Sequence, residues 1–89
     1  MAPAPKKKAK DPEMVALGTR LRELRLERSL TQEALADAAG LHWTYIGQIE
    51  RGERNLTVKN VLRLERGLDV DPGSWIASTF GGVNQPSTG

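Results

Sequence analysis

The sequence predicts an all-α domain of five short helices. Two observations carry that expectation. Apolar residues recur at spacings of three and four, the period of one helix face, and no alternating apolar run suggests a strand. Cap residues and glycines also punctuate the chain at regular intervals: Asp11-Pro12, Thr31, Gly40, Gly52, Thr57, Asp71-Pro72.

The first helix is expected over about residues 12 to 28. Asp11 offers an N-cap and Pro12 a favoured first helical residue, and Leu17, Leu21 and Leu24 form one stripe. Thr31 can cap a second helix, with Glu33 in a first turn where the dipole favours an acid. Leu35, Ala36 and Ala39 are its inner face, Gly40 its stop, and Leu41 the apolar residue that folds back over a glycine-terminated end. A third helix is expected from about Trp43 to Arg51, with Ile46 and Ile49 inward and Gly52 as its stop. A fourth begins near Thr57, carries Val58, Val61, Leu62 and Leu64, and stops at Gly67-Leu68. Asp71-Pro72 repeats the cap-plus-proline signal and starts a fifth, which holds Trp75, Ile76 and Phe80. Only about three residues around Gly40 separate the second and third helices. Such a short glycine-containing turn is the local signature of a helix-turn-helix.

Composition narrows the function classes. The chain has 89 residues, no cysteine and one histidine, His42. There is therefore no disulfide framework and no His/Cys set for zinc, and no cofactor is expected. Catalysis has little to work with: a single His, no nucleophilic Cys and no glycine-rich phosphate loop. No stretch approaches the roughly 20 apolar residues that span a bilayer, so a soluble, cytoplasmic protein without a membrane partner is expected. Residues 1–10 carry Lys6, Lys7, Lys8 and Lys10 with almost no large apolar residue, and residues 81–89 read as GGVNQPSTG. Neither can bury enough surface to offset its ordering entropy, so both are expected to be disordered tails around a domain at 11–80. The net charge is +2, but from residue 11 onward nine basic residues face eleven acidic ones. Any grip on phosphate must come from a local cluster of Arg, helped or not by the lysine tail, which can equally be a solubilising extension.

The stretch LRELRLERSLTQEALADAAGLHWTYIGQIERGERNLTVKNVLRLERGLDV resembles the XRE (Cro/cI-like) helix-turn-helix family of bacterial and phage regulators. The resemblance covers about residues 17 to 70. Its specific parts are TQEALADAAGL, YIGQIERG and the GLDV ending, and RNLTVKN is similar to restriction–modification controller proteins. It implies a compact five-helix, lambda-repressor-like DNA-binding domain, a homodimer on double-stranded DNA, and the third helix in the major groove. Position by position it puts His42, Trp43, Thr44 and Gln48 at base-contacting places. Gln32, at the first turn of the second helix, falls where the family bonds a phosphate, and Tyr45, Arg51, Arg54, Asn55 and Lys59 are further backbone candidates. Arg25 and Glu50 match a pair that is a buried ion pair in some members. Two residues depart from the family pattern, Trp43 and Gly47, the latter where serine is more common.

The chemistry suits those roles. The groove accepts one helix and shows a distinct donor/acceptor pattern for each base pair, and a Gln amide matches adenine bidentately. Thr44 can bond a base edge or place its methyl on a thymine methyl. Helix N-terminal N–H groups suit an anion near Gln32. Plainer readings stand beside these. Gln48 can be a solvated helix residue, His42 a turn residue, Trp43 a packing residue, and Arg51 and Arg54 solvated charges. Tyr45 can belong to the core, and Arg25 and Glu50 can be unrelated surface charges. Trp75, Ile76 and Phe80 read as core first and dimer interface second. The functional expectation is a regulator on a short inverted repeat, with a contact to RNA polymerase as one mode of action. The alternative is a protein-interaction or antitoxin-like module on the same fold, which the acidic body keeps open.

Overall fold

The computed structural model describes residues 10–81, and among them it contains five α-helices and no strand. They are α1 (Pro12–Glu27), α2 (Gln32–Ala39), α3 (Trp43–Glu50), α4 (Val58–Leu68) and α5 (Ser74–Phe80). The two expected tails fall outside the described residues except for Lys10 and Gly81. Lys10 touches the domain: its Nζ donates to the Arg51 carbonyl at 2.8 Å.

Side chains cap four of the five helix starts. Asp11 accepts from the Glu13 N–H, Thr31 from Ala34, His42 Nδ1 from Thr44 and Thr57 from Asn60. Each such cap is worth about 1 kcal/mol. Gly40 closes α2 in the left-handed region (φ +72°), and the Leu41 N–H returns to the Ala36 carbonyl at 2.9 Å. This tight reversal holds α2 and α3 only three residues apart.

One stop and one start have causes other than those the sequence suggests. α4 ends at Leu68, at the expected stop, but the residue that closes it in the left-handed conformation is Asp69 (φ 60°) and not Gly67. Gly67 is a packing residue: a Cβ there would lie 3.2 Å from both the Ala39 nitrogen and Leu35 Cδ1, so its bareness lets α4 cross closely over α2. α5 does not start on the Asp71-Pro72 signal. Those residues form a turn, and the helix begins at Ser74 after Gly73, which supplies no side-chain cap. The acceptor comes from α4 instead. The buried Glu65 carboxylate takes the Gly73 N–H at 2.8 Å and the Trp75 N–H at 3.0 Å. A buried carboxyl that accepts from two orphan N–H groups takes the place of an exposed Asp cap.

The core lies where α1, α2, α3, α4 and α5 meet. Leu21, Leu35, Ile46, Ile49, Leu64, Leu68 and Trp75 are essentially inaccessible. Trp75 also donates its indole N–H to the Leu17 carbonyl at 3.0 Å, so the largest side chain of the core is hydrogen-bonded as well as packed. With no exposed surface, Trp75 has nothing to offer a second chain, which corrects its place among the candidate dimer contacts. Phe80 is half-buried against the core, and Ile76 remains 42% exposed.

Candidate nucleic-acid interface

α3 is short and apolar on one side, and that side is fixed by α1. Ile46 and Ile49 enter the core, and Gly18 of α1 lies against the last turn of α3. A Cβ on Gly18 would collide with the Ile49 carbonyl oxygen and approach the Glu50 carbonyl carbon and oxygen to 2.9 Å. Only glycine allows that backbone-to-backbone approach. Sequence reading passed over Gly18, because a glycine inside an amphipathic helix carries no signal of what crosses it.

The same corner holds a buried ion pair. Arg25 Nε and Nη2 grip the two Glu50 oxygens at 2.7 and 3.1 Å, and Nη1 donates to the Leu30 carbonyl at 2.8 Å. The two side chains are 10% and 5% exposed. This fork ties α1, the turn before α2, and the end of α3 into one unit. Gln32 joins it through Nε2, which donates to Glu50 Oε1 at 3.2 Å. Gln32 is thus at the first turn of α2, as expected, with part of its amide engaged inward.

The opposite side of α3 faces away from the body. His42, Trp43 and Thr44 are all exposed, and Trp43 at 49% is not a core residue. His42 Nδ1 accepts from the Thr44 N–H at 3.2 Å and lies 2.7 Å from Thr44 Oγ1. The Nδ1 of His42 is thus engaged at the start of α3. The His42 and Trp43 rings stack with centroids 6.1 Å apart and planes at 24°. They form an aromatic pair at the helix start. Gly47 lies beneath Arg51 and Gln32; a Cβ there would meet Arg51 Nη1 at 3.2 Å and the Gln32 amide at 3.6–3.7 Å, all ends of flexible chains.

Beyond α3 the backbone candidates form two groups. Arg51 Nε and Nη2 bind both oxygens of Glu53 at 3.1 and 3.2 Å. That hydrogen bonding is the main reason the Glu53 carboxyl sits below its usual value and the Arg51 guanidinium above its own. Lys10 adds a further cation 3.9 Å from Glu53. The second group links Arg54, Tyr45, Gln48 and Asn60. Arg54 lies over the Tyr45 ring, 5.1 Å from its centroid, and its Nη1 donates to Gln48 Oε1 at 2.9 Å. Asn60 Nδ2 donates to the Tyr45 hydroxyl at 3.0 Å. Asn55 and Lys59 are exposed on the same connection and the first turn of α4. Glu53 and Asn60 were not among the sequence candidates. Both matter through partners that depend on the packed fold rather than on a motif.

Among the described residues no cluster of His, Asp or Glu is arranged to hold a metal ion, and no helix is long and apolar enough to cross a membrane. No buried side-chain nitrogen or oxygen among them lacks a hydrogen-bond partner. The polar groups that remain are on the surface, where they are available to a ligand.

The helix-turn-helix family profile matches residues 21–75 of the chain. The control protein C.BamHI of Bacillus amyloliquefaciens is 43% identical over 56 residues, which are 62% of this chain and 69% of that protein. Among solved structures, the restriction-modification controller protein C.AhdI from Aeromonas hydrophila superposes with a TM-score of 0.71 at 43% identity, covering 73% of this chain and 98% of that one. The restriction-modification controller protein C.Esp1396I, solved as a tetramer in complex with its natural 35 base-pair operator, superposes with a TM-score of 0.75 at 32% identity, covering 81% and 95%.

Proposed function

The chain belongs to the helix-turn-helix family, and from that premise we propose that it is a sequence-specific DNA-binding transcriptional regulator that inserts α3 into the major groove. The observation that carries this reading is the outward side of α3. His42, Trp43 and Thr44 are exposed and Gln48 half-exposed on a helix whose other side is locked into the core. A rigid helix with unspent polar and aromatic groups at its N-terminal half fits the width of the groove and reaches base edges there.

In this reading His42, Trp43, Thr44 and Gln48 contact bases. Gln32 at the start of α2, with Tyr45, Arg51, Arg54, Asn55 and Lys59, contacts the sugar-phosphate backbone and fixes the register without reading sequence. The domain body is net acidic, so the Arg51–Arg54 edge supplies most of the local positive field. Binding requires Arg51 to exchange Glu53 for phosphate, which an exposed pair does at little cost.

We further propose a homodimer on an inverted repeat, its half-site centres about 34 Å apart. Ile76 on α5 is the exposed apolar candidate for the contact between copies, flanked by half-buried Phe80. The operator complex of a similar controller protein supports a multi-copy arrangement on DNA. Near a promoter such a complex regulates by occlusion or by touching RNA polymerase. The acidic body favours one second reading, a protein-interaction or antitoxin-like module; co-purification of a stoichiometric protein partner together with no DNA preference would select it.

Fluorescence anisotropy against genomic fragments tests the main reading. At least one fragment should bind well above random DNA at ~0.15 M salt, where nonspecific binding has weakened to about 10⁻⁴–10⁻⁶ M. Equal affinity for every fragment would overturn it.

A further inference from the structure

Gln48 is not an independent side chain. Its Oε1 accepts from Arg54 Nη1 at 2.9 Å. Arg54 itself lies over the Tyr45 ring, its Cζ 5.1 Å from the centroid, and Tyr45 is held by Asn60 from α4 through its hydroxyl. Three residues in series thus fix one amide at the surface.

The chemistry of this relay decides which end of the amide is spent within the protein. A guanidinium has only donors, so it can bind the amide oxygen and never the nitrogen. The usual ambiguity of a Gln flip is resolved by the partner. Nε2 forms no hydrogen bond with a described residue, and it carries two donors. In the major groove, guanine presents two acceptors, N7 and O6, whereas adenine presents an acceptor beside a donor. A Gln with both ends at liberty suits adenine; once one of the two lone pairs of its oxygen is spent on a cation, its two free N–H donors bias it towards guanine.

We propose that Arg54 is a positioning residue for Gln48: it holds the amide oxygen so that the N–H₂ group faces the DNA, and the base pair read by Gln48 is one with guanine, not adenine, on the contacted strand. This rests on the reading of α3 as the groove helix. It reverses the adenine preference expected from Gln48 considered alone. It also assigns Arg54 a second task beside any phosphate contact, since the guanidinium has N–H groups beyond the one spent on Gln48. Holding the amide before DNA arrives removes part of the ordering cost on binding.

The test is a set of competition titrations with full-length wild type, Arg54→Ala, Arg54→Lys, Gln48→Ala and the Gln48/Arg54 double alanine variant, with thermal melts to show that each is folded. The base pair concerned is the one whose preference disappears in Gln48→Ala. Wild type should favour guanine over adenine there by about tenfold, within the range of a good direct contact. Replacing that guanine with 7-deazaguanine, which lacks N7, should remove much of the advantage. Arg54→Ala should weaken binding to all sequences and, in addition, bring the guanine-to-adenine ratio towards one. Arg54→Lys keeps a cation for phosphate but loses the guanidinium fork that lies over Tyr45. It should weaken binding to random DNA less than Arg54→Ala does and lose most of the ratio. In the Gln48→Ala background, Arg54→Ala should change overall affinity and leave the ratio untouched.

A uniform loss in Arg54→Ala with the wild-type ratio preserved would make Arg54 a backbone contact only and overturn the proposal. So would adenine preferred over guanine by the wild type. A wild type with no preference at any position would instead bring down the reading of α3 on which the proposal stands.

Discussion

The two sides of α3 differ in what fixes them. Inward, a bare Gly18, two buried isoleucines and the Arg25–Glu50 fork leave the helix one place to sit. Outward, only a surface relay and a His42 cap restrain the side chains, and two large rings stand in solvent. A helix of eight residues is too short to be stable by itself, so its order is borrowed from the inward side. The difference separates two kinds of information. The inward side specifies where the helix is; the outward side specifies what it meets, and it can vary without disturbing the fold.

The comparison breaks first at the fork. Glu50→Ala strands the Arg25 guanidinium in a site 10% exposed and should cost about 3–5 kcal/mol in denaturant unfolding. A cost below ~1 kcal/mol would mean the pair behaves like a surface bridge. Next are two glycines, for which the same substitution should act in opposite directions. Gly18→Ala drives a methyl into the backbone of α3 and should destabilise by about 1–3 kcal/mol, or more if α1 cannot yield. Gly47→Ala brings a methyl nearest to the side-chain ends of Arg51, at 3.2 Å, and Gln32, at 3.6–3.7 Å, and with a small shift of Arg51 should stabilise by up to ~1 kcal/mol through helix propensity. Thermal melts of the two variants side by side check this; a shift in the same direction for both would mean that α3 is packed as tightly at Gly47, near Gln32, as it is against Gly18. The smallest effect belongs to Glu53→Gln. It removes an acid that engages Arg51 and should tighten binding to every DNA sequence by about two- to fivefold. A change confined to one operator would show that Glu53 acts on base reading instead.

The inward side was also the more legible in the sequence. Ile46, Ile49, Leu35 and Leu21 follow helical spacing, and the spacing alone places them in the core, where they lie. The helix-turn-helix was readable from Thr31 and Gly40, since a cap and a left-handed stop have local causes. What ends α4 and what starts α5 were not. Gly67 looks like a stop until α2 is known to lie against it, and Asp71-Pro72 looks like a cap until Glu65 is seen to take its place. Both misreadings replace a long-range cause with a local one. Trp75 lies in the core, its first expected place, and the packed structure adds that no surface of it is left exposed. On the outward side, residue types suggested chemistry to Gln48 and Arg54 separately. Their hydrogen bond spans six residues around the end of a helix, and no pattern in the chain announces it.

If the outward side of α3 reads a two-fold DNA site, selection of bound sequences from a random duplex pool should enrich an inverted repeat with half-site centres about 34 Å apart. A pool that emerges without enrichment, or a motif with no two-fold relation, would contradict that reading.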